Sequence, residues 1–129
     1  MTNALKIETF PYYFAIAKIR NPASINWKSP FVFVGKTDDE LSLVALESEV
    51  PSDAYPVDRG YRMMRVAGTL DMSLTGILAR ISKVLADEEI PIFAVSTYNT
   101  DYILVKSHTF RNAIQALSRA GYLVSNEIS

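Results

Sequence analysis

The stretch that decides the fold is Val95-Ser96-Thr97-Tyr98-Asn99-Thr100-Asp101-Tyr102. Ile92-Phe93-Ala94-Val95 runs into it and Tyr102-Ile103-Leu104-Val105 leaves it. Both runs are apolar, β-branched or aromatic, and turn-forming residues lie between them, so the segment predicts a β-hairpin with a polar tip. That tip carries the hydroxyls of Ser96, Thr97 and Thr100, the amide of Asn99 and the carboxylate of Asp101. About twenty residues earlier, Asp71-Met72-Ser73-Leu74-Thr75-Gly76 has the composition of a helix start.

Outward from the hairpin, Leu74, Ile77, Leu78, Ile81, Val84 and Leu85 recur at three and four residues. They draw one apolar stripe along a helix, capped by Asp71 or Ser73 and stopped at Glu88-Glu89-Ile90-Pro91. A second helix begins near Ser107 or Thr109, buries Phe110, Ala113, Ile114 and Leu117, and ends at Gly121 in a left-handed cap. With strands at Tyr61 to Ala67 and Tyr122 to Asn126, the order from Tyr61 is β-α-β-β-α-β. This is the ferredoxin-like arrangement of the α+β class: a four-stranded antiparallel sheet with both helices on one face. Helices on one face leave the other bare. Because both hairpin strands are apolar at every position, something else must cover that second face.

The first half reads as strands at Phe10 to Ile19, Phe31 to Gly35 and Leu41 to Leu46. Asn21-Pro22 ends the first, because proline has no amide proton and restricts its predecessor. Ser24 is placed to cap one helical turn carrying Trp27, and Lys36-Thr37-Asp38-Asp39-Glu40 forms a hairpin loop. Glu47 to Gly60, rich in Glu, Asp, Ser and Pro, reads as a linker or the remnant of a helix, its acids forming a solvated face. The hairpin at residues 31–44, with Thr37-Asp38 at its tip, loosely repeats that at 93–105, with Thr100-Asp101 at its tip. The expected organisation is therefore a smaller, incomplete module over residues 1–58 and a complete one over 59–129.

Composition narrows the function. Thirteen basic and fourteen acidic residues leave a net charge of −1. That balance lacks the basic surplus that neutralises phosphates, so no nucleic-acid partner is expected. The strand Tyr102-Ile103-Leu104-Val105-Lys106 also lacks the stacking aromatics of RNA-recognition modules. No apolar run reaches membrane-spanning length and the first ten residues lack a secretory pattern, so a cytoplasmic protein with no membrane partner is expected. Cysteine is absent, which fits a reducing compartment.

No chemistry of catalysis assembles. His108 is the only histidine, so neither a metal-binding histidine pair nor a Ser-His triad is available. Gly35-Lys36-Thr37 imitates the end of a phosphate-binding loop, but Pro30 stands where that motif needs glycine. No Gly-x-Ser-x-Gly occurs. The sequence predicts no enzyme, no cofactor and no metal.

Val66-Ala67-Gly68-Thr69-Leu70, Leu74-Thr75-Gly76-Ile77-Leu78 and Ser96 through Val105 together resemble the ACT domain, a ligand-binding regulatory module. The pattern is similar to small two-module bacterial proteins and to the ACT modules of a cytosolic arginine sensor. Thr37-Asp38-Asp39-Glu40-Leu41-Ser42-Leu43-Val44 resembles their N-terminal module. The resemblance implies non-enzymatic amino-acid binding at an interface between modules, and nominates Gly76 with Ile77, and Asp101 with Thr97 and Thr100. The chemistry is suitable. A helix start offers free amides to a carboxylate, a glycine there allows close approach, and Asp101 is an anionic partner for an ammonium. Asn99-Thr100-Asp101 is equally an ordinary turn composition, so Asp101 bonds either a ligand or its own loop; Gly76 equally permits close helix packing. A homodimer is expected from the doubly apolar strands. The competing function is a protein-interaction module that keeps the fold without a ligand, docking a protein partner at a strand edge or sheet face.

Overall fold

A computed structural model describes residues 5–67 and 76–127. Eight strands and two helices follow one another as β1 (Lys6–Thr9), β2 (Phe14–Lys18), β3 (Val32–Lys36), β4 (Leu41–Leu46), β5 (Val57–Ala67), α1 (Ile77–Asp87), β6 (Phe93–Ser96), β7 (Asp101–Lys106), α2 (Ser107–Arg119) and β8 (Leu123–Glu127). The architecture is α+β and ferredoxin-like. Contacts divide the chain into a split unit, Met1–Pro11 with Arg62–Ser129, and an inserted unit, Tyr12–Tyr61. This differs from a division at residue 58, because the N-terminal strand belongs with the C-terminal half.

In the split unit the strand order is β6-β7-β5-β1-β8. The expected four-stranded antiparallel sheet is thus five-stranded. β1 lies between β5 and β8, antiparallel to the first and parallel to the second. Local sequence does not announce it: Lys6-Ile7-Glu8-Thr9 is short, and the strand expected at Phe10 to Ile19 starts only at Phe14. Pro11 lacks the N–H a continuing ladder would use.

One face of this sheet packs on the helices. Ile7, Met64, Val66, Ile103 and Val105 meet Ile77, Ile81 and Leu85 of α1 and Phe110, Ala113 and Leu117 of α2. The expected stripes are correct over the described residues; Leu74 and the proposed caps Asp71 and Ser73 lie outside them. The cap position of α1 is Gly76. At the end of α2, Gly121 takes φ 101° and the Tyr122 amide donates to the Leu117 carbonyl at 3.0 Å, closing the helix as expected.

The all-apolar hairpin strands separate into two cases. Ile103, Leu104 and Val105 of β7 are buried in succession, so that strand is covered on both faces. Among the described residues β6 pairs only with β7 and is an edge: Phe93 is 36% exposed and Ala94 is exposed. Its apolar composition does not force burial on both faces.

The inserted unit orders its strands β3-β4-β2-β5, using residues 57–61 of β5. Ile19, Ile25, Leu43 and Ala45 form a small core, with Val32, Leu41 and Ala54 against it. Only single 3-10 turns occur besides strands, at Pro22–Ser24 and Glu47–Glu49. Asn21, not Ser24, caps the first by accepting from the Ala23 amide, and Trp27 stays 66% exposed. Residues 47–60 are more structured than a linker. Gly60 takes φ 82° where the β2–β5 register shifts, a bulge needing a residue without Cβ. Its amide donates to Glu47 Oε2 at 2.6 Å, so this acid is bound rather than merely solvated.

Tyr61 donates its hydroxyl to Asp58 Oδ2 at 2.7 Å. Burial, then this hydrogen bond and the carboxylate's charge, push its pKa up to about 12. Among the seven tyrosines, absorbance titration is expected to find one ionising near that value, and Asp58→Leu to bring it down. The neutral form is favoured by folding. This contribution is therefore complete below the unfolded pKa of about 10 and disappears as pH rises to about 12. Uniform titration of all seven near the unfolded value would contradict the assignment.

Among the described residues, no helix is long and apolar enough to cross a membrane.

Candidate functional site

The hairpin tip is held by its own hydroxyls. The Thr97 amide donates to the Thr100 carbonyl at 2.8 Å, closing the loop. Thr97 Oγ1 donates to the same carbonyl at 3.1 Å and accepts from the Thr100 amide at 3.4 Å. Thr100 Oγ1, in a residue only 9% exposed, donates to the Val66 carbonyl at 2.6 Å and fastens the tip to β5. Ser96, the cross-strand partner of Asp101, donates its hydroxyl to Asp101 Oδ1.

The structure therefore brings Thr97, Thr100 and Asp101 together in one tip, each with a partner inside the split unit. Thr100 and Thr97 build the loop. Asp101 is half-buried and oriented by Ser96, with further acceptor positions on its carboxylate. Tyr98, at the apex, is 90% exposed.

At the helix start, Gly76 takes φ 74°, a left-handed conformation that L side chains rarely adopt. Its carbonyl accepts from the Arg80 amide at 2.9 Å, the first turn of α1. Among the described residues no side chain caps the amides of that turn. The Ile77 side chain is buried in the core, so what this residue offers a ligand is its amide. One participant was not foreseen. Arg80 folds back so that its Nη1 lies 3.3 Å from where a Cβ on Gly76 would stand. Helical spacing of four is the signal that places it there. A guanidinium beside the amides of a helix start makes this end of α1 electropositive.

The base of the hairpin is braced from the opposite sheet face. Arg65 Nε donates to Glu8 Oε1 at 2.7 Å, and its guanidinium lies 4.9 Å from the Phe10 ring centre and 5.9 Å from that of Tyr102. Burial works against the charge, but hydrogen bonds with Glu8 and then Tyr102 outweigh it and raise the Arg65 pKa. The cation is permanent. Among the described residues no group of three His, Asp or Glu side chains could hold a metal ion.

A family model described as the ACT domain matches residues 57–119. Over this segment the chain is an ACT domain. A crystal structure of an Agobacterium tumefaciens protein superposes with a TM-score of 0.88 at 30% identity, covering 99% of this chain and 97% of that one. A Vibrio cholerae protein of unknown function gives 0.71 at 16% identity, over 90% and 89% of the two chains. The regulatory subunit of aspartate kinase from Thermus thermophilus gives 0.61 at 11% identity, over 89% and 96%. At these lower identities the likeness concerns the fold alone. A search of curated proteins finds no match. The ACT match runs from β5 through α2 and so includes both the α1 start and the hairpin tip. It leaves out β1, the strand at the middle of that ACT sheet's far half.

Proposed function

We propose that this ACT protein is a non-enzymatic regulatory component, acting in the cytoplasm, that binds a small amino acid. Gly76 and Ile77 present backbone to the ligand carboxylate, and Asp101, with Thr97 and Thr100 shaping the tip, receives its ammonium. The observation that carries the reading is the α1 start, whose amides no side chain among the described residues caps, with the Arg80 guanidinium beside Gly76. Cation, amides and helix dipole all favour a carboxylate there. The ligand-free regulatory subunit of aspartate kinase, which shares the fold, supports a regulatory rather than catalytic role.

A second reading has its own observation. β6 leaves one strand edge unpaired among the described residues and exposes Phe93 and Ala94 beside it, a surface suited to docking a protein or a second copy of the chain. In this reading the homodimer exists without any small ligand.

A thermal-shift screen with the twenty amino acids separates the two. At one hundred times its dissociation constant, a bound ligand is expected to stabilise the protein by about 2.7 kcal/mol. One amino acid or a related group should respond. A flat response to all twenty rejects amino-acid sensing and favours docking.

A further inference from the structure

β3 is the outermost strand of the inserted unit and, among the described residues, pairs only with β4. Its edge lacks the usual protections against pairing with another chain. Val32, Phe33, Val34 and Gly35 are successive uncharged residues, and the register with β4 runs unbroken from Val32 to Lys36. The hairpin that joins the two strands fixes where the backbone groups point. The Thr37 amide donates to the Glu40 carbonyl at 2.9 Å, and bonded positions alternate along an antiparallel pair, so Phe33 and Gly35 turn their amides to β4. Val32, Val34 and Lys36 turn theirs to the open edge. In keeping with this, the carbonyl of Leu41, opposite Lys36, accepts from the Ile19 amide at 3.0 Å, on the side of β4 away from β3.

We infer that this edge pairs antiparallel with β3 of a second copy of the chain, about a two-fold axis at Val34. In that register every residue of the strand finds a partner: Val34 faces Val34, Val32 faces Lys36 and Phe33 faces Gly35. The outward amides of 32, 34 and 36 then occupy the bonded positions. Gly35 is what makes the register fit. A Cβ there would meet nothing within 4 Å, so the space beside it is open to Phe33, the bulkiest side chain of the strand. That pair falls at the closer, non-bonded spacing, where an aromatic ring shields the backbone that an edge glycine leaves in water. Charge agrees with it. The pairing brings the β3–β4 loop of one copy, with exposed Asp38 and Asp39, to the end of the other copy's strand that follows exposed Lys28. None of the three is in an ion pair among the described residues. A register centred on Lys36 would instead oppose two lysines and leave Val32 and Phe33 unmatched.

This interface lies on the inserted unit, outside the segment matched as an ACT domain, and is independent of both readings above, which use the split unit. The test is sedimentation velocity of the full-length protein at micromolar concentration, where a dimer is expected. Val34→Pro removes the amide at the axis and should raise the dimer dissociation constant at least about tenfold, the effect of losing the hydrogen bond each copy donates there. Ala94→Lys, on the β6 edge, should leave it unchanged. Cross-linking gives a second measure. The chain has no cysteine, so Val34→Cys carries a single thiol. Bonded residues directly opposite each other have Cα atoms about 5.5 Å apart, within disulfide range. Mild oxidation should turn this variant into a covalent dimer at least about tenfold faster than Asp39→Cys, whose thiols the register keeps apart. A monomeric wild type, a dimer that Ala94→Lys abolishes and Val34→Pro does not, or equal cross-linking of the two thiols would each overturn the proposal.

Discussion

Replacing Ile7 by alanine is expected to lower stability by about 2–5 kcal/mol, the range for truncating a fully buried isoleucine. Ile7 is 0% exposed and belongs to the core between sheet and helices. It stands opposite Val66 on β5 and Val124 on β8. Truncation therefore leaves a cavity where two strand pairings and the helix layer converge. The surroundings cannot collapse into it without disturbing the pairings on both sides. Urea denaturation checks this: the midpoint should fall at unchanged slope. Lys6→Ala, at an exposed neighbouring position, serves as control and should be nearly neutral. If Ile7→Ala costs less than about 1 kcal/mol, β1 is an accessory strand and the family-matched segment stands without it.

Asp101→Asn is expected to weaken the amino acid identified by the thermal screen ten- to a hundred-fold. That corresponds to about 1.5–3 kcal/mol, the worth of one charge-assisted hydrogen bond. The substitution keeps the shape of the side chain and an oxygen to accept from Ser96, so the tip should hold. What disappears is the negative charge. Calorimetric titration of the variant measures the loss, and the unchanged unfolding midpoint of the free protein confirms that the fold persists. Unchanged affinity would mean that Asp101 serves only its own hairpin, and the carboxylate would be a structural partner of Ser96.

Comparison of these two positions shows where local reading succeeds. The polar tip between apolar runs identified a real hairpin, and the three- and four-residue spacing identified both helices. These patterns are written by neighbours within a turn or a strand, and periodicity reports them directly. Gly121 was equally legible, since a helix end followed by glycine is a local event. The candidate residues Thr97, Thr100 and Asp101 were found for their chemistry. Their internal bonds to Thr100, Val66 and Ser96 appear only in three dimensions. Arg80 illustrates the same gap. Its position four residues past Gly76 was visible, but whether a long side chain folds back or extends depends on its surroundings.

The sequence by itself determined the β-α-β-β-α-β order of the ACT portion, the helix faces and the place of the central hairpin, because each depends on contacts between near neighbours along the chain. Tertiary structure alone decided that Lys6–Thr9 fills the gap between β5 and β8, and that β6 is an edge among the described residues although its residues are as apolar as those of β7. Pairing between strands more than a hundred residues apart leaves no periodic trace in either one. Burial of an apolar strand depends on how many neighbours it acquires, which its own side chains do not record.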